Sequence, residues 1–146
     1  MLKALYVLDS GAYDRIYQPP ERVEIAKLAE VYATPQTREA VRANPSILAD
    51  AEVILSGWGA PVLDAGLLAA APKLRAFFYG AGTVKYVVTD ALWDRDIVVT
   101  SAWAANAVPV CEFALSQILY SLKRGWYFAT EIKRRRAGIA KEPVAG

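Results

Sequence analysis

The segment Leu74-Arg75-Ala76-Phe77-Phe78-Tyr79-Gly80-Ala81-Gly82 is a short apolar run that ends in a glycine turn. Apolar runs of similar length occupy residues 2–8, 51–55 and 97–100, and the first two also end in turn residues. Short apolar runs bounded by turns are typical of strands buried inside a parallel sheet. The sequence therefore predicts strands at these four places.

Helix signals lie between the predicted strands, together with a further short strand at residues 31–33. Strands that alternate with helices form βαβ units, which favours an α/β fold with a five-stranded, mostly parallel sheet covered on both faces. The signals are Pro19-Pro20-Glu21 at a helix start, Thr37 capping a helix through Val41, Pro61 beginning a helix over 62–70, and Thr89-Asp90 capping a helix to Trp93.

The pattern changes from Val108 onward. Apolar side chains there lie on more than one face of a long predicted helix, which favours its burial. Gly125 is expected to end that helix, and a second helix is expected over 126–136. We therefore divide the chain into a sheet domain at 1–102, a helical segment at 103–136 and a flexible tail at 137–146.

The composition excludes several classes of protein. With 146 residues and a hydrophobic share of 55%, the chain is long and apolar enough for a folded core. No uncharged stretch has the length or apolar character of a membrane span, and the run Ala4 to Leu8 after Lys3 is too short for a signal peptide. The single cysteine, Cys111, excludes an intrachain disulfide, and we predict a cytoplasmic protein.

Histidine is absent from the sequence. A chain without imidazole lacks the commonest general base and the commonest metal ligand. Catalysis by Ser-His-Asp or Cys-His groups within this chain is therefore excluded.

Charge is distributed unevenly along the chain. Residues 1–120 hold ten Lys and Arg against thirteen Asp and Glu, whereas residues 121–146 hold seven against two. The run Lys133-Arg134-Arg135-Arg136 follows aromatic residues, a pattern found in nucleic-acid-binding arms. We favour the solvated end of a helix, where cations suit the helix dipole.

Three nucleotide or phosphate motifs are incomplete. Gly80-Ala81-Gly82 begins like a dinucleotide fingerprint, but Lys85 stands where the third glycine belongs. A receiver domain needs a phosphate-accepting aspartate at the end of the third strand, but this sequence has Ser56-Gly57 there. A flavodoxin needs a phosphate loop richer than Ser10-Gly11-Ala12-Tyr13.

Four further segments follow one another along the chain: Ala71-Pro72-Lys73-Leu74-Arg75-Ala76, Tyr79-Gly80-Ala81-Gly82, Asp96-Ile97-Val98-Val99-Thr100 and Asn106-Ala107-Val108-Pro109-Val110-Cys111-Glu112-Phe113-Ala114. In this order they resemble the first part of a D-isomer-specific 2-hydroxyacid dehydrogenase. The resemblance runs from Met1 to about Arg136. It implies a flavodoxin-like, doubly wound substrate domain followed by the first two helices of an incomplete Rossmann NAD-binding domain.

The resemblance also implies the residues of a binding site. The Gly80-Ala81-Gly82 turn would present backbone N–H groups to a substrate carboxylate, with Tyr79 and Thr83 beside it. Asn106 would point into the cleft at the substrate, Val110 would lie against the nicotinamide, and Glu112 would be structural. Ser56-Gly57-Trp58 ends the third strand on the same side and is a weaker candidate for the cleft wall.

The activity implied is hydride transfer between NAD or NADP and the C2 atom of a 2-hydroxy or 2-oxo acid. The chain departs from the family pattern at Val84 and Val87, where many members carry aspartates. The family's cofactor fingerprint and its catalytic arginine, glutamate and histidine are missing. We therefore expect a truncated, inactive fragment with no catalytic residue and no bound cofactor.

The resemblance further implies a homodimer through residues 103–136, and we expect neither a membrane nor a nucleic acid as partner. Two other hypotheses stay open. One is a naturally short, non-catalytic α/β module that binds a carboxylate or a partner protein. The other is a nucleic-acid binder that uses the basic end, for which salt-sensitive binding would be the sign.

Overall fold

A computed structural model describes residues 1–139, and it shows a five-stranded sheet with helices between the strands. All neighbouring strands are parallel, in the order β2-β1-β3-β4-β5. The predicted parallel α/β fold is confirmed. The strands are β1 Leu2–Val7, β2 Ala29–Val31, β3 Val53–Ser56, β4 Ala76–Tyr79 and β5 Val98–Ser101.

The helices begin where polar side chains can cap them. The side-chain oxygens of Thr37, Asp64 and Thr89 accept hydrogen bonds from backbone N–H groups in the first turns of α3, α4 and α5, respectively. The helices are α1 Ser10–Ile16, α2 Pro19–Leu28, α3 Arg38–Ala43, α4 Ala65–Ala70, α5 Asp90–Trp93, α6 Trp103–Leu122 and α7 Gly125–Arg135, with a 3-10 turn at Pro45–Leu48.

Several predicted boundaries are wrong. Ser10 and Gly11, which are predicted to lie in the turn after the first strand, begin α1, and the sequence analysis predicts no helix over residues 10–16. The helix after Pro61 starts only at Ala65 because Asp64 caps it, and β2 lies two residues before its predicted position. The long helix begins at Trp103, the first residue of the predicted helical segment, although the apolar pattern starts only at Val108.

One face of the sheet carries the larger core. Leu5, Ile54 and Phe77 project from adjacent strands on this face and are fully buried. Val41 of α3, Leu48 of the 3-10 turn, Leu68 of α4 and Leu92 of α5 pack into the same cluster. Burial of such side chains is the main favourable term in folding.

The opposite face is covered only in part. Ala4, Tyr6 and Leu55 are buried there with residues of α1 such as Ala12. Further along this face, Phe78 of β4 is 40% exposed and Val98 of β5 is 58% exposed. An apolar groove of about 540 Å³ lies over this part of the sheet. The predicted coverage of both faces is therefore wrong for β4 and β5.

The chain divides into two compact units, Met1–Asn106 and Ala107–Gly146. In the second unit, no side chain of α6 is buried, so the predicted burial of this helix is wrong for the chain by itself. The side chains of Leu115, Ile118, Leu119 and Leu122 follow a spacing that puts them on one face of the helix. The tail predicted at 137–146 falls mostly outside the described residues, which end at 139.

The hydroxyl of Tyr6 generates a prediction about stability. The Tyr6 ring lies between the rings of Tyr13 and Tyr17, and its buried hydroxyl has no hydrogen-bond partner among residues 1–139. An unpaired buried hydroxyl carries a desolvation cost, so Tyr6→Phe should raise the free energy of unfolding by about 1 kcal/mol. The free energy of unfolding is measured by urea denaturation monitored with circular dichroism.

Tyr32→Phe is the matched control. The Tyr32 hydroxyl donates to the backbone oxygen of Ile47 at 2.7 Å, so its loss should lower the free energy of unfolding by about 1 kcal/mol. Equal destabilisation by both substitutions would show that the Tyr6 hydroxyl has a hydrogen-bond partner and would contradict the prediction.

Candidate functional site

The candidate site lies beyond the carboxyl ends of β3 and β4, the edge at which parallel α/β sheets bind ligands. The last turn of α1 packs directly onto this edge. A Cβ atom on Gly57 would lie 2.3 Å from Ile16 Cδ1, and one on Gly80 would lie 2.3 Å from Ile16 Cγ2. Because both positions are glycine, the Ile16 side chain can pack against the chain just after β3 and β4.

Hydrogen bonds fix the same contact. The Tyr17 hydroxyl donates to the backbone oxygen of Ser56 at 2.8 Å, and the Ser56 hydroxyl donates to the backbone oxygen of Val7. Burial raises the pKa of Tyr17 well above its usual range. The phenol is consequently protonated at neutral pH and keeps this donor role.

The bend at residues 80–82 leaves two backbone donors unused. Gly80 N–H donates to the backbone oxygen of Ser56 at 2.8 Å. The N–H groups of Ala81 and Gly82 donate to no acceptor within residues 1–139, and Ala81 is fully buried. A buried donor left unpaired costs about 1–3 kcal/mol. Ala81 is enclosed by protein whereas Gly82 is partly exposed, so the Gly82 N–H is the donor that a ligand's acceptor can meet.

Two carbonyl groups of the bend are already occupied. The Ser101 hydroxyl contacts the backbone oxygens of Gly82 at 2.5 Å and Ala81 at 3.3 Å. With these oxygens held by Ser101, the unused backbone groups of Ala81 and Gly82 are N–H donors. This arrangement suits an anion.

The side chain of Asn106 lies beside the bend. A Cβ atom on Gly82 would come within 3.0 Å of Asn106 Nδ2, so the absence of a side chain at residue 82 makes room for the amide. The Asn106 backbone N–H donates to Ala102 O in the first turn of α6. The Asn106 side chain has no hydrogen-bond partner within the described residues and can bind a ligand there.

An open cleft of about 640 Å³ begins at Gly80, the first residue of the bend. The cleft is lined by Gly80 and Asn106 together with Tyr17, Ile25 and Arg15. Trp58, which follows β3, stands on its rim and is 46% exposed. The predicted position of Trp58 on the cleft wall agrees with this placement.

Other predicted site residues lie elsewhere. The Tyr79 ring is buried in the core, stacked on Phe77 with ring centres 6.3 Å apart, and Tyr79 does not line the cleft. Thr83 is exposed just after the bend. Val110 and Glu112 are exposed on α6 in the second unit, where Val110 is 62% exposed.

The contribution of α1 to the site is not among the sequence-based predictions. Arg15, Ile16 and Tyr17 all line the cleft, yet the sequence analysis predicts no element between the turn after the first strand and the helix at Pro19. A signal was present, because Ala12 and Ile16 are four residues apart, as are Tyr13 and Tyr17. That spacing puts apolar side chains on one side of a helix.

The two glycine turns of the sheet differ from a dinucleotide phosphate loop, and the described residues include no metal-binding cluster. The turns at 57–59 and 80–82, each with two glycines, lead into irregular chain, whereas a dinucleotide phosphate loop opens a helix. No group of His, Cys, Asp or Glu within residues 1–139 could hold a metal ion. No helix in this range is long and apolar enough to span a membrane.

The basic segment near the end of α7 is partly paired. Arg134 and Arg135 bond Glu131 at 2.7 and 2.8 Å, which lowers the pKa of Glu131 to about 2. These cations lie in the last turn of α7, as a solvated helix end predicts.

Comparison with solved structures identifies relatives in fold. A D-lactate dehydrogenase from Aquifex aeolicus, complexed with NAD and lactic acid, matches 98% of the chain with a TM-score of 0.63 and 21% identity. A phosphoglycerate oxidoreductase from Rhizobium etli matches 92% with a TM-score of 0.63 and 23% identity. The pyruvate reductase of Chlamydomonas reinhardtii matches 100% with a TM-score of 0.62 and 13% identity.

All three structures belong to the D-2-hydroxyacid dehydrogenase family, and the likeness establishes a shared fold. The resemblance found in the sequence is confirmed at this level. The matches cover 40%, 40% and 41% of the three solved chains, so the chain spans about two fifths of their length. No protein-family profile and no curated protein matches the sequence.

Proposed function

We propose that the chain is the substrate-binding part of an NAD(P)-dependent D-2-hydroxyacid dehydrogenase, together with the first helices of the cofactor domain. The shared fold supports this assignment, and so do the names of the three similar structures, all oxidoreductases. The observation that carries it is the pair of unused N–H donors at Ala81 and Gly82, beside the Asn106 amide.

The bend would bind the carboxylate of a 2-hydroxy or 2-oxo acid. A carboxylate brings only acceptors, which match the free Gly82 N–H, and the bare backbone at Gly82 allows close approach. Asn106 Nδ2 can donate to a second oxygen of the same acid. Hydrogen bonds with one charged partner are shorter and stronger than neutral ones, so the acid would be held at a fixed orientation.

The groups that carry out the reaction would lie outside the described residues. No histidine is present in the sequence, and the described residues do not fit a dinucleotide. NAD or NADP, when bound to a further domain of a longer protein, would supply hydride chemistry. Within this chain, Val110 on α6 is proposed to face the nicotinamide, and the chain's own residues bind and orient the acid.

The second unit is proposed to form a homodimer. Its exposed apolar stripe of Leu115, Ile118, Leu119 and Leu122 continues into Trp126, at the start of α7. Exposed apolar patches of this kind mark interaction surfaces. A two-fold interface lets one stripe cover its own copy, and this supports self-association over binding to an unrelated surface.

Binding of a small acid at the bend is tested by titration. Addition of millimolar glyoxylate to isotope-labelled chain should shift the amide NMR signals of Ala81 and Gly82 before others. Gly82→Ala should weaken this binding by about tenfold, because the new Cβ crowds Asn106 Nδ2 at 3.0 Å.

Gly66→Ala is the matched control for the titration. Its added Cβ meets only Asp64 Oδ1, at an ordinary 3.4 Å, in a helix away from the cleft. It should leave the titration unchanged. Saturation with glyoxylate that shifts signals elsewhere and leaves those of Ala81 and Gly82 in place would refute the proposed function.

Self-association is tested with two charge substitutions on α6. Ile118→Asp puts a carboxylate inside the apolar stripe and should convert a dimer to a monomer in sedimentation velocity runs at micromolar concentration. Gln117→Asp puts the carboxylate on the side of the helix opposite the stripe and should preserve the dimer. A monomeric native chain, or equal dissociation by both variants, would contradict the proposed interface.

A further inference from the structure

A second cavity lies beside the cleft, at the end of β1. It has a volume of about 450 Å³ and is lined by Asp9, Gly11, Ala12, Arg15 and Trp58, the last two of which also border the cleft. Pockets that bind small molecules commonly have volumes of roughly 300–1,000 Å³. Since a carboxylate, a guanidinium and an exposed indole line this cavity, it suits a ligand with both charged and apolar parts.

The Asp9 carboxylate has no hydrogen bond or ion pair within residues 1–139. Asp9 directly precedes α1, a position from which an aspartate commonly caps a helix, yet its side chain forms no capping bond. The carboxyl group lies against Gly59 instead, where a Cβ atom would overlap it and where φ is 81°. A half-buried carboxylate without a donor favours a ligand that supplies one.

The Arg15 guanidinium is a second charged group without a partner in the described residues. It is exposed in the last turn of α1, and the neighbouring acid, Asp14, pairs with Arg22 instead. Asp9 and Arg15 line one cavity but form no ion pair with each other. A ligand that carries both charges can therefore pair with both groups at once.

We propose that this cavity binds a free α-amino acid. The ammonium group would donate to Asp9, and the carboxylate would accept from Arg15, whose planar donors match a carboxylate. A simple acid or amine would leave one of the two protein charges unpaired.

Trp58 would pack against an apolar side chain of the amino acid. The backbone oxygen of Trp58 accepts a hydrogen bond from the Asp9 N–H at 2.9 Å, which holds the two residues side by side at the cavity. An indole ring provides a large apolar surface for such a contact. The proposal uses neither the bend at residues 80–82 nor Asn106, so it does not rest on the proposed function.

Three probes that share a phenylethyl group separate the two charges. L-phenylalanine carries both, 2-phenylethylamine lacks the carboxylate, and 3-phenylpropionate lacks the ammonium group. Each is titrated into the isotope-labelled 146-residue chain, and the Gly11 amide and Trp58 indole N–H signals are followed by NMR. We expect phenylalanine to bind about fivefold more tightly than either analogue, because each analogue forms one ion pair fewer.

Two variants assign each charge to its residue. Asp9→Asn should make phenylalanine and 3-phenylpropionate bind equally, with the preference over 2-phenylethylamine retained. Arg15→Gln should remove the preference over 2-phenylethylamine and retain the other. Arg42→Gln and Asp94→Asn are the matched controls, because both side chains are exposed, lie outside the cavity and have no partner in the described residues. Both controls should keep the native preferences.

The outcomes separate this inference from the proposed function. Equal binding of the three probes by the native chain, or preferences that survive in either variant, would overturn the amino-acid site. Phenylalanine that shifts only the signals of Ala81 and Gly82 would also overturn it and would leave the proposed function standing. Failure of glyoxylate to shift those two signals, with the phenylalanine results as expected, would refute the proposed function alone.

Discussion

The rest of the site depends on one contact, the packing of the Ile16 side chain against Gly57 and Gly80. A Cβ atom at either glycine would overlap the Ile16 side chain, which would have to move from its place at the edge of the sheet. With Ile16 in place, the Tyr17 hydroxyl meets Ser56 O, and Gly80 N–H meets the same oxygen. One short helix thereby fixes the end of β3, the start of the bend and the position of Arg15.

The bend illustrates how a fold can prepare an anion site without a charged residue. Gly80 is held by Ser56, and the carbonyl oxygens of Ala81 and Gly82 are held by Ser101, at the end of the next strand. The backbone between these anchors cannot rotate freely to pair its remaining N–H groups. The unpaired donors destabilise the bend, and the strands on either side keep it in this conformation. A bound acid would pair a donor and remove this destabilisation.

The strands could be predicted from the sequence because a buried parallel strand is a continuous apolar run, as in Leu5 and Ile54. The caps at Thr37 and Thr89 could also be predicted, since their side chains bond the adjacent backbone. The incomplete coverage of the sheet could not be predicted from the sequence, because Phe78 and Val98 are as apolar as buried residues yet remain exposed.

The candidate site was harder to predict than the fold. The sequence analysis does not predict helix α1, because its first residues, Ser10 and Gly11, favour turns. Whether an amide is paired depends on residues distant in the sequence, such as Ser101, so the free donors at Ala81 and Gly82 carry no sequence signal. The resemblance of the glycine turn to a known family pointed to these amides, but their lack of partners is a property of the folded chain.

A crystal structure of the 146-residue chain grown with glyoxylate tests the central claim most directly, because it locates the acceptor of each amide in the bend. We expect a carboxylate oxygen within about 3.2 Å of Ala81 N or Gly82 N, with Asn106 turned toward the same acid. Amides of the bend that donate to protein carbonyls, or an acid bound only at another place on the sheet edge, would contradict the proposed site.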